Sequence, residues 1–254
     1  MFEKTKLKLE QEKKDIEQKL IIKNLENENR EKTEFMSMVS HELKTPLFTI
    51  SGYAQILNND QKNLNEQQKD DIAEILTGIN SLELIISDLL DAQKLDLKKL
   101  NLTKFTTDIS TLVSEVVKSL KPFFDKKSIS YEIEIIDKIL LNCDSDRISQ
   151  VLKNLVKNSI EAINHDHGLI KINVARQNDH ALFSVFDNGS GIPNNVAKNM
   201  FKKFYQTDTT LSRKKDGTGL GLYICQQLVL LHGGKIWFDS SPDKGTMFYF
   251  TIPF

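Results

Sequence analysis

The chain of 254 residues is 39% hydrophobic and 27% charged, which places it among globular proteins and excludes a disordered or membrane-embedded chain. Its 34 basic and 35 acidic residues leave a net charge of -1, so it lacks the basic excess of an electrostatic nucleic-acid binder. No apolar run approaches the roughly 18–20 residues of a membrane helix, and the two cysteines, Cys143 and Cys225, make neither a CxxC motif nor a disulfide framework.

In chain order, Lys4, Lys6 and Lys8 precede no apolar core, unlike a signal peptide. The expectation is a cytoplasmic protein, or the cytoplasmic portion of a sensor whose membrane or sensing region lies upstream. Residues 3–34 are almost all Lys, Glu, Gln and Asn with a few aliphatics. They read as a long polar helix with Leu9, Ile16 and Leu20 as a thin stripe. Lys13, Lys23 and Asn27 occupy would-be core positions, so the heptad signal there is weak.

Val39, Leu43, Leu47, Ile50, Ala54 and Leu57 recur at steps of three and four, and so do Ile72, Ile75, Ile79, Leu82, Ile86 and Leu89. Each set draws an apolar seam along a helix. The polar stretch 58–63 between them predicts a turn, and together they predict an antiparallel helical hairpin. Two helices bury two continuous seams poorly. Pairing two hairpins into a four-helix bundle solves this, so a homodimer is expected.

After about residue 103 a period of two appears in Ile129-Tyr131-Ile133-Ile135, Ile170-Ile172-Val174 and Thr246-Phe248-Phe250-Ile252. Helices are predicted near 110–125, 145–164 and 219–231. This mixture, without regular βαβ order, predicts an α+β two-layer sandwich with helices covering one face of a sheet. Leu95–Leu102 reads as the linker between the two halves.

Three regions carry candidate chemistry. His41 lies about 165° from the centre of the first seam at 100° per residue, so it is expected to face solvent. Thr45 follows one turn later, Glu42 is adjacent, and Pro46 is expected to loosen the helix beside the carbonyl of Glu42. A neutral imidazole there is a usable nucleophile, and a neighbouring carboxylate can take its other ring proton. Asn154 and Asn158 share one side of a predicted helix, well away from its apolar face, and their amide oxygens suit a hard cation such as Mg²⁺. Asp187-Asn188-Gly189-Ser190-Gly191 ends a strand on an acceptor for an exocyclic amine, with glycines that let backbone approach a flat ring. Gly217-Thr218-Gly219-Leu220-Gly221 opens a helix whose free N–H groups suit a polyphosphate. Thr207–Lys215 reads as a lid, in which Arg213, Lys214 and Lys215 either pair with a terminal phosphate or form a plain exposed charge run. Walker and dinucleotide glycine loops are both absent. Singly, each of these motifs also has a bland reading as solvated helix or ordinary turn.

In combination, the order His41-Glu42-Leu43-Lys44-Thr45-Pro46, Asn154-x-x-x-Asn158, Asp187-x-Gly189-x-Gly191, Phe201-x-x-Phe204 and Gly217-Thr218-Gly219-Leu220-Gly221-Leu222 resembles the sensor histidine kinases of two-component signalling. The resemblance covers roughly residues 30–254. It implies an N-terminal signalling helix (1–30), a dimerisation and phosphoacceptor domain (31–97), a linker (98–102) and a catalytic domain of the histidine-kinase ATPase type (103–254). It implies ATP and Mg²⁺ as cofactors and autophosphorylation of His41, with Glu42 assisting proton removal and Thr45 orienting water in a phosphatase reaction. Asn158 matches the Mg²⁺-binding asparagine and Asn154 its companion. Asp187 matches the adenine-reading aspartate, flanked by Gly189 and Gly191, while Gly217, Gly219 and Gly221 match the phosphate-side glycines. Phe201 and Phe204 match an aromatic pair that serves packing. Asn188, Thr218, Leu220 and Leu222 complete motifs without an assigned chemical role. Glu161 and Ala162 depart from the Lys-Tyr pair many members carry, which shifts weight to the lid cations. No receiver-like segment follows Phe254, so the expected acceptor is a separate response-regulator receiver domain.

Overall fold

The computed structural model describes residues 38–40, 42–59, 64–205 and 218–254, together with Gln18 and Lys23, both helical and exposed. The rest of the expected polar helix, the 60–63 part of the turn and the lid lie outside the described residues. The chain divides into two compact units, Met1–Gln93 and Lys94–Phe254.

The first unit is a helical hairpin. Helix α1 covers 38–40 and 42–59, running through Pro46, and α2 spans Glu66–Asp96. The start of α2 is fixed by a reciprocal cap: Asn65 N–H donates to Gln68 Oε1 at 3.0 Å and Gln68 N–H to Asn65 Oδ1 at 2.8 Å. The two seams are buried only in part. Leu47, Ala54, Ile72, Ile79 and Ile86 are buried, whereas Leu43, Ile50, Leu57, Ile75 and Leu82 are exposed. Within each helix the buried and exposed sets each repeat every seven residues, so one layer of each seam closes the hairpin and the alternate layer faces outward. Among the described residues no helix is long and apolar enough to cross a membrane.

The second unit is a two-layer sandwich. In chain order it holds β1 (Phe105–Asp108), α3 (Ile109–Lys126), β2 (Ser130–Ile135), β3 (Leu140–Cys143), α4 (Ser145–Ala162), β4 (Leu169–Gln177), β5 (His180–Asp187), the short α5 (Asn194–Ala197), α6 (Gly221–Leu231), β6 (Ile236–Ser241) and β7 (Gly245–Pro253). The main sheet has the order β2-β4-β5-β7-β6, and β1 pairs with β3 separately. Strands β2 and β4 are parallel and the other neighbours antiparallel.

Alternation drives the layering. Ile170, Ile172 and Val174 of β4, Ala181, Phe183 and Val185 of β5, and Phe248, Phe250 and Ile252 of β7 are buried together. They meet the apolar faces of α3, α4 and α6, including Leu112, Val116, Leu152, Leu155, Cys225 and Leu228. Phe183 and Phe250 stack with ring centroids 4.3 Å apart. Asp108 caps α3 and Asp144 caps α4, each accepting from N–H groups of the first turn. Both cysteines are buried in this core. The stretch expected as a linker, Leu95–Leu102, begins inside the last turn of α2, and its Leu95 and Leu100 are buried.

Candidate functional site

Strand β5 ends on Asp187, opposite Ile170 of β4 and Thr246 of β7. The residue is 1% exposed. Its Oδ2 accepts the Ser159 hydroxyl at 3.0 Å, its Oδ1 accepts the Gly189 N–H at 3.0 Å, and Thr246 adds a backbone hydrogen bond. Burial raises the carboxyl above its ordinary value, and the hydrogen bonds from Gly189, Ser159 and Thr246 oppose that rise. The result is a carboxylate with little solvent of its own, a strong acceptor for a donor on a ligand.

The chain leaves Asp187 through a tightly laced turn. A Cβ at Gly189 would stand 2.6 Å from the Ala162 carbonyl oxygen, so only glycine lets the turn lie against the end of α4. Ser190 N–H donates to Ala162 O at 3.1 Å, Asp243 N–H donates to Ser190 O at 2.9 Å, and Ile192 N–H donates to Ser240 Oγ at 2.8 Å. The loop is thereby held between α4 and the β6–β7 hairpin.

Helix α4 also carries Asn154 and Asn158, both half-buried. The Asn154 Nδ2 is buried and has no hydrogen-bond partner among the described residues. A Cβ on Gly221, the first residue of α6, would lie 3.7 Å from this amide. Helix α6 has no side-chain cap, and its first-turn N–H groups lack intrahelical partners. An orphan amide donor thus stands beside an uncapped helix N-terminus, an arrangement that suits an anion. Ahead of it, Thr218 Oγ1 accepts the Leu220 N–H at 3.2 Å. Gly219 has φ +68°, and a Cβ there would meet the Phe204 carbonyl carbon at 2.7 Å. Leu220 turns its side chain into the core at 2% exposure, which leaves only backbone to face a ligand.

In the first unit Glu42 and Thr45 are exposed. Thr45 lines a groove of about 940 Å³ with Lys44, Phe48, Thr49, Asn80, Glu83, Leu84 and Ser87. His41, Arg213, Lys214, Lys215 and Gly217 lie outside the described residues.

Several residues that complete the site were not singled out for it by sequence. Ser159 and Thr246 converge on Asp187 only because of helix phase and strand register. The clue to Ser159 was its place directly after Asn158. Of the aromatic pair expected to pack, Phe201 does so against Phe238 at 6.0 Å. Phe204 is 65% exposed with φ 58°, since its backbone rather than its ring abuts Gly219.

Comparison with known proteins gives the two units separate matches. Residues 31–98 match the family model "His Kinase A (phospho-acceptor) domain". Residues 143–254 match "Histidine kinase-, DNA gyrase B-, and HSP90-like ATPase". The chain is 33% identical over 234 residues to the phytochrome-like protein Cph1 of Synechocystis, which covers 92% of this chain and 30% of Cph1. Among solved structures it resembles full-length ShkA in complex with AMPPNP, with TM-score 0.70 and 26% identity over 87% of this chain and 46% of that one. It also resembles the catalytic domain of histidine kinase ThkA, with TM-score 0.52 and 34% identity over 61% of this chain and 96% of that one. ThkA in complex with the response regulator TrrA matches at TM-score 0.57 and 28% identity, over 87% of this chain and 61% of that one. A phospho-acceptor hairpin followed by an ATP-binding sandwich is the family's two-part catalytic core, and the chain belongs to the sensor histidine kinases.

Proposed function

We propose that this chain phosphorylates itself on His41 from ATP and passes the phosphoryl group to an aspartate of a separate response-regulator receiver domain. The observation that carries this reading is the layout of α4. Ser159 holds the buried Asp187 carboxylate, and five residues earlier, about 7.5 Å along the helix, Asn154 holds an orphan donor beside the start of α6. One end of that edge accepts from an amine and the other donates to an anion, as a base joined to phosphates requires.

In this reading Asp187 accepts from the adenine amine, and Gly189 and Gly191 shape the binding turn beside it by letting that turn seat against Ala162 and Ser241. Asn158, with Asn154 as companion, would hold Mg²⁺ through an amide oxygen; that donor suits a hard cation that also keeps waters and phosphate oxygens. When bound, Mg²⁺ neutralises phosphate charge. The backbone of Gly217, Thr218, Gly219, Leu220 and Gly221 cradles the phosphates, and Arg213 and Lys215 pair with the terminal one. A His41 ring nitrogen attacks the γ-phosphorus in line, the bond from phosphorus to the ADP oxygen breaks, and Glu42 takes the proton from the other ring nitrogen. Thr45 orients water against the aspartyl phosphate of the partner in a separate phosphatase reaction, which releases inorganic phosphate and restores the aspartate. The outward layer of the seams supports a homodimeric four-helix bundle. On this reading the domain bounds are 1–30, 31–97, 98–102 and 103–254, and the site is in the cytoplasm.

The ShkA and ThkA structures support the use of nucleotide and of a regulator partner. The chain spans about a third of curated relatives such as Cph1, at 30%. Phosphotransfer profiling tests the reading. The chain, labelled from γ-labelled ATP, is mixed with a panel of receiver proteins. Label should move within seconds to one or a few receivers, whereas label that stays on the kinase across the whole panel contradicts the transfer step.

A further inference from the structure

The β4–β5 ladder ends at the pair Ile170 and Asp187. One step further, Asn188 keeps the pairing going by an unusual route. Its backbone N–H still donates to Leu169 O at 3.2 Å. The matching acceptor for the Leu169 N–H is not the Asn188 carbonyl but the side-chain Oδ1, at 2.8 Å. The other half of the same amide, Nδ2, donates to His167 O at 2.8 Å. A side-chain amide carries the donor and acceptor of a peptide group, so it substitutes for main chain at the ladder's end. The Asn188 carbonyl is thereby free to turn away, and His165 Nε2 donates to it at 2.9 Å, while His165 Nδ1 accepts the His167 N–H at 3.3 Å.

The consequence falls on the next peptide. Once released from the strand, the chain turns so that the Gly189 N–H points back to Asp187 Oδ1 at 3.0 Å and Gly189 seats against Ala162. Without the amide, the Leu169 N–H and the His167 carbonyl would both lose a partner, or the Asn188 main chain would rejoin the ladder and pull Gly189 away from the carboxylate. We propose that Asn188 is a positioning residue for nucleotide recognition: its side-chain amide extends the β4–β5 ladder in place of the backbone and so fixes the turn that aims the Asp187 carboxylate. This rests on the reading of Asp187 as the acceptor for the adenine amine. An aspartate at this position keeps the acceptor but lacks the donor for His167 O, and alanine lacks both.

The test uses the full chain as wild type, Asn188→Ala, Asn188→Asp and Asp187→Asn, with displacement of a fluorescent ATP analogue by ATP and by inosine triphosphate, which lacks the amine. Thermal unfolding is run in parallel. Asn188→Ala should weaken ATP on the order of tenfold and inosine triphosphate far less, so that the preference between them shrinks as it does in Asp187→Asn. Autophosphorylation at saturating ATP should change by less than about twofold, the loss appearing in KM. Asn188→Asp should fall between alanine and wild type, and it gives the same reading if the alanine variant does not unfold cooperatively. Equal weakening of both nucleotides, or ATP affinity within about twofold of wild type, overturns the proposal. If instead Asp187→Asn keeps the full wild-type preference, the adenine assignment itself fails, and the role given to Asn188 fails with it.

Discussion

The hydroxyl of Ser159 on α4 donates to Oδ2 of Asp187 on β5 at 3.0 Å, with both residues sealed from solvent. This bond joins the helix that carries the asparagine pair to the strand end that carries the carboxylate. The carboxyl is nevertheless held above its ordinary value, because burial outweighs the hydrogen bonds.

That balance makes Asp187 a group whose ionisation opposes folding. A carboxyl whose pKa rises on folding supports the fold fully below its ordinary value of 3.8, and that support is lost as pH rises through the folded value. Above that folded value the ionised group costs stability in the nucleotide-free protein. Asp187→Asn should leave the thermal midpoint at pH 7 unchanged or higher while ATP affinity falls by about tenfold or more. Calorimetric titration and thermal unfolding on the same samples check both halves. A variant that binds ATP as wild type does, or that loses both stability and affinity, contradicts the assignment.

His232 shows the opposite linkage. It is buried, its Nε2 accepts the Asp144 N–H at 3.2 Å, and its Nδ1 donates to Leu228 O at 2.8 Å. Burial lowers its pKa from the ordinary 6.5; the bond to Leu228 and the Asp144 charge oppose that shift, and Lys104 adds to it. The unfolded chain then binds the proton more readily than the folded one, so stability falls as pH drops below 6.5. Thermal unfolding from pH 7 to 5 should show this slope, and His232→Gln should flatten it from a lower starting point. An unchanged slope would assign the pH dependence to other groups.

If the proposed dimer forms, the hairpin's two layers should separate folding from association. Leu47 is 7% exposed and Ile50 52%, although both belong to the same seam. Leu47→Ala should destabilise the hairpin by about 2 kcal/mol or more through lost packing. Ile50→Glu and Leu82→Glu should instead preserve helix content and convert dimer to monomer in sedimentation equilibrium. A dimer that survives both glutamates would remove the outward layer from the interface.

Lys127 supports the floor of the site from outside. Its Nζ donates to Ile160 O at 2.7 Å and Ile163 O at 3.1 Å, capping the end of α4 where Gly189 and Ser190 rest. A cation at a helix C-terminus with two carbonyl partners contributes about 1 kcal/mol. Lys127→Met should lower the urea midpoint accordingly, and Lys127→Arg should recover part of the loss. A methionine variant as stable as wild type would make the cap inconsequential.

The parts of the fold legible in the sequence were those with a clean period. The seams of α1 and α2, the apolar face of α4 and the alternation in β2, β4 and β7 all announced themselves. Strands β1, β3 and β6 did not: Phe105–Asp108 and Leu140–Cys143 are four residues each, too short for a period to emerge, and Ile236–Ser241 mixes a tryptophan, a phenylalanine and polar residues on an edge. Periodicity also located each seam without revealing which layer closes the hairpin, since Leu47 and Ile50 satisfy the same spacing. At the site, Asp187 and the glycines could be read because they form a contiguous string. Ser159 is set by the phase of α4, and Thr246 and the amide bracket of Asn188 by register across strands, which no local pattern encodes.

The most direct measurement is incorporation of γ-labelled phosphate into wild type and His41→Gln, with nucleotide binding confirmed in both. Wild type should acquire label that is released by acid and retained in alkali, and the variant should acquire none while binding ATP normally. Label that persists in His41→Gln would contradict the assignment of this imidazole as the phosphoryl acceptor.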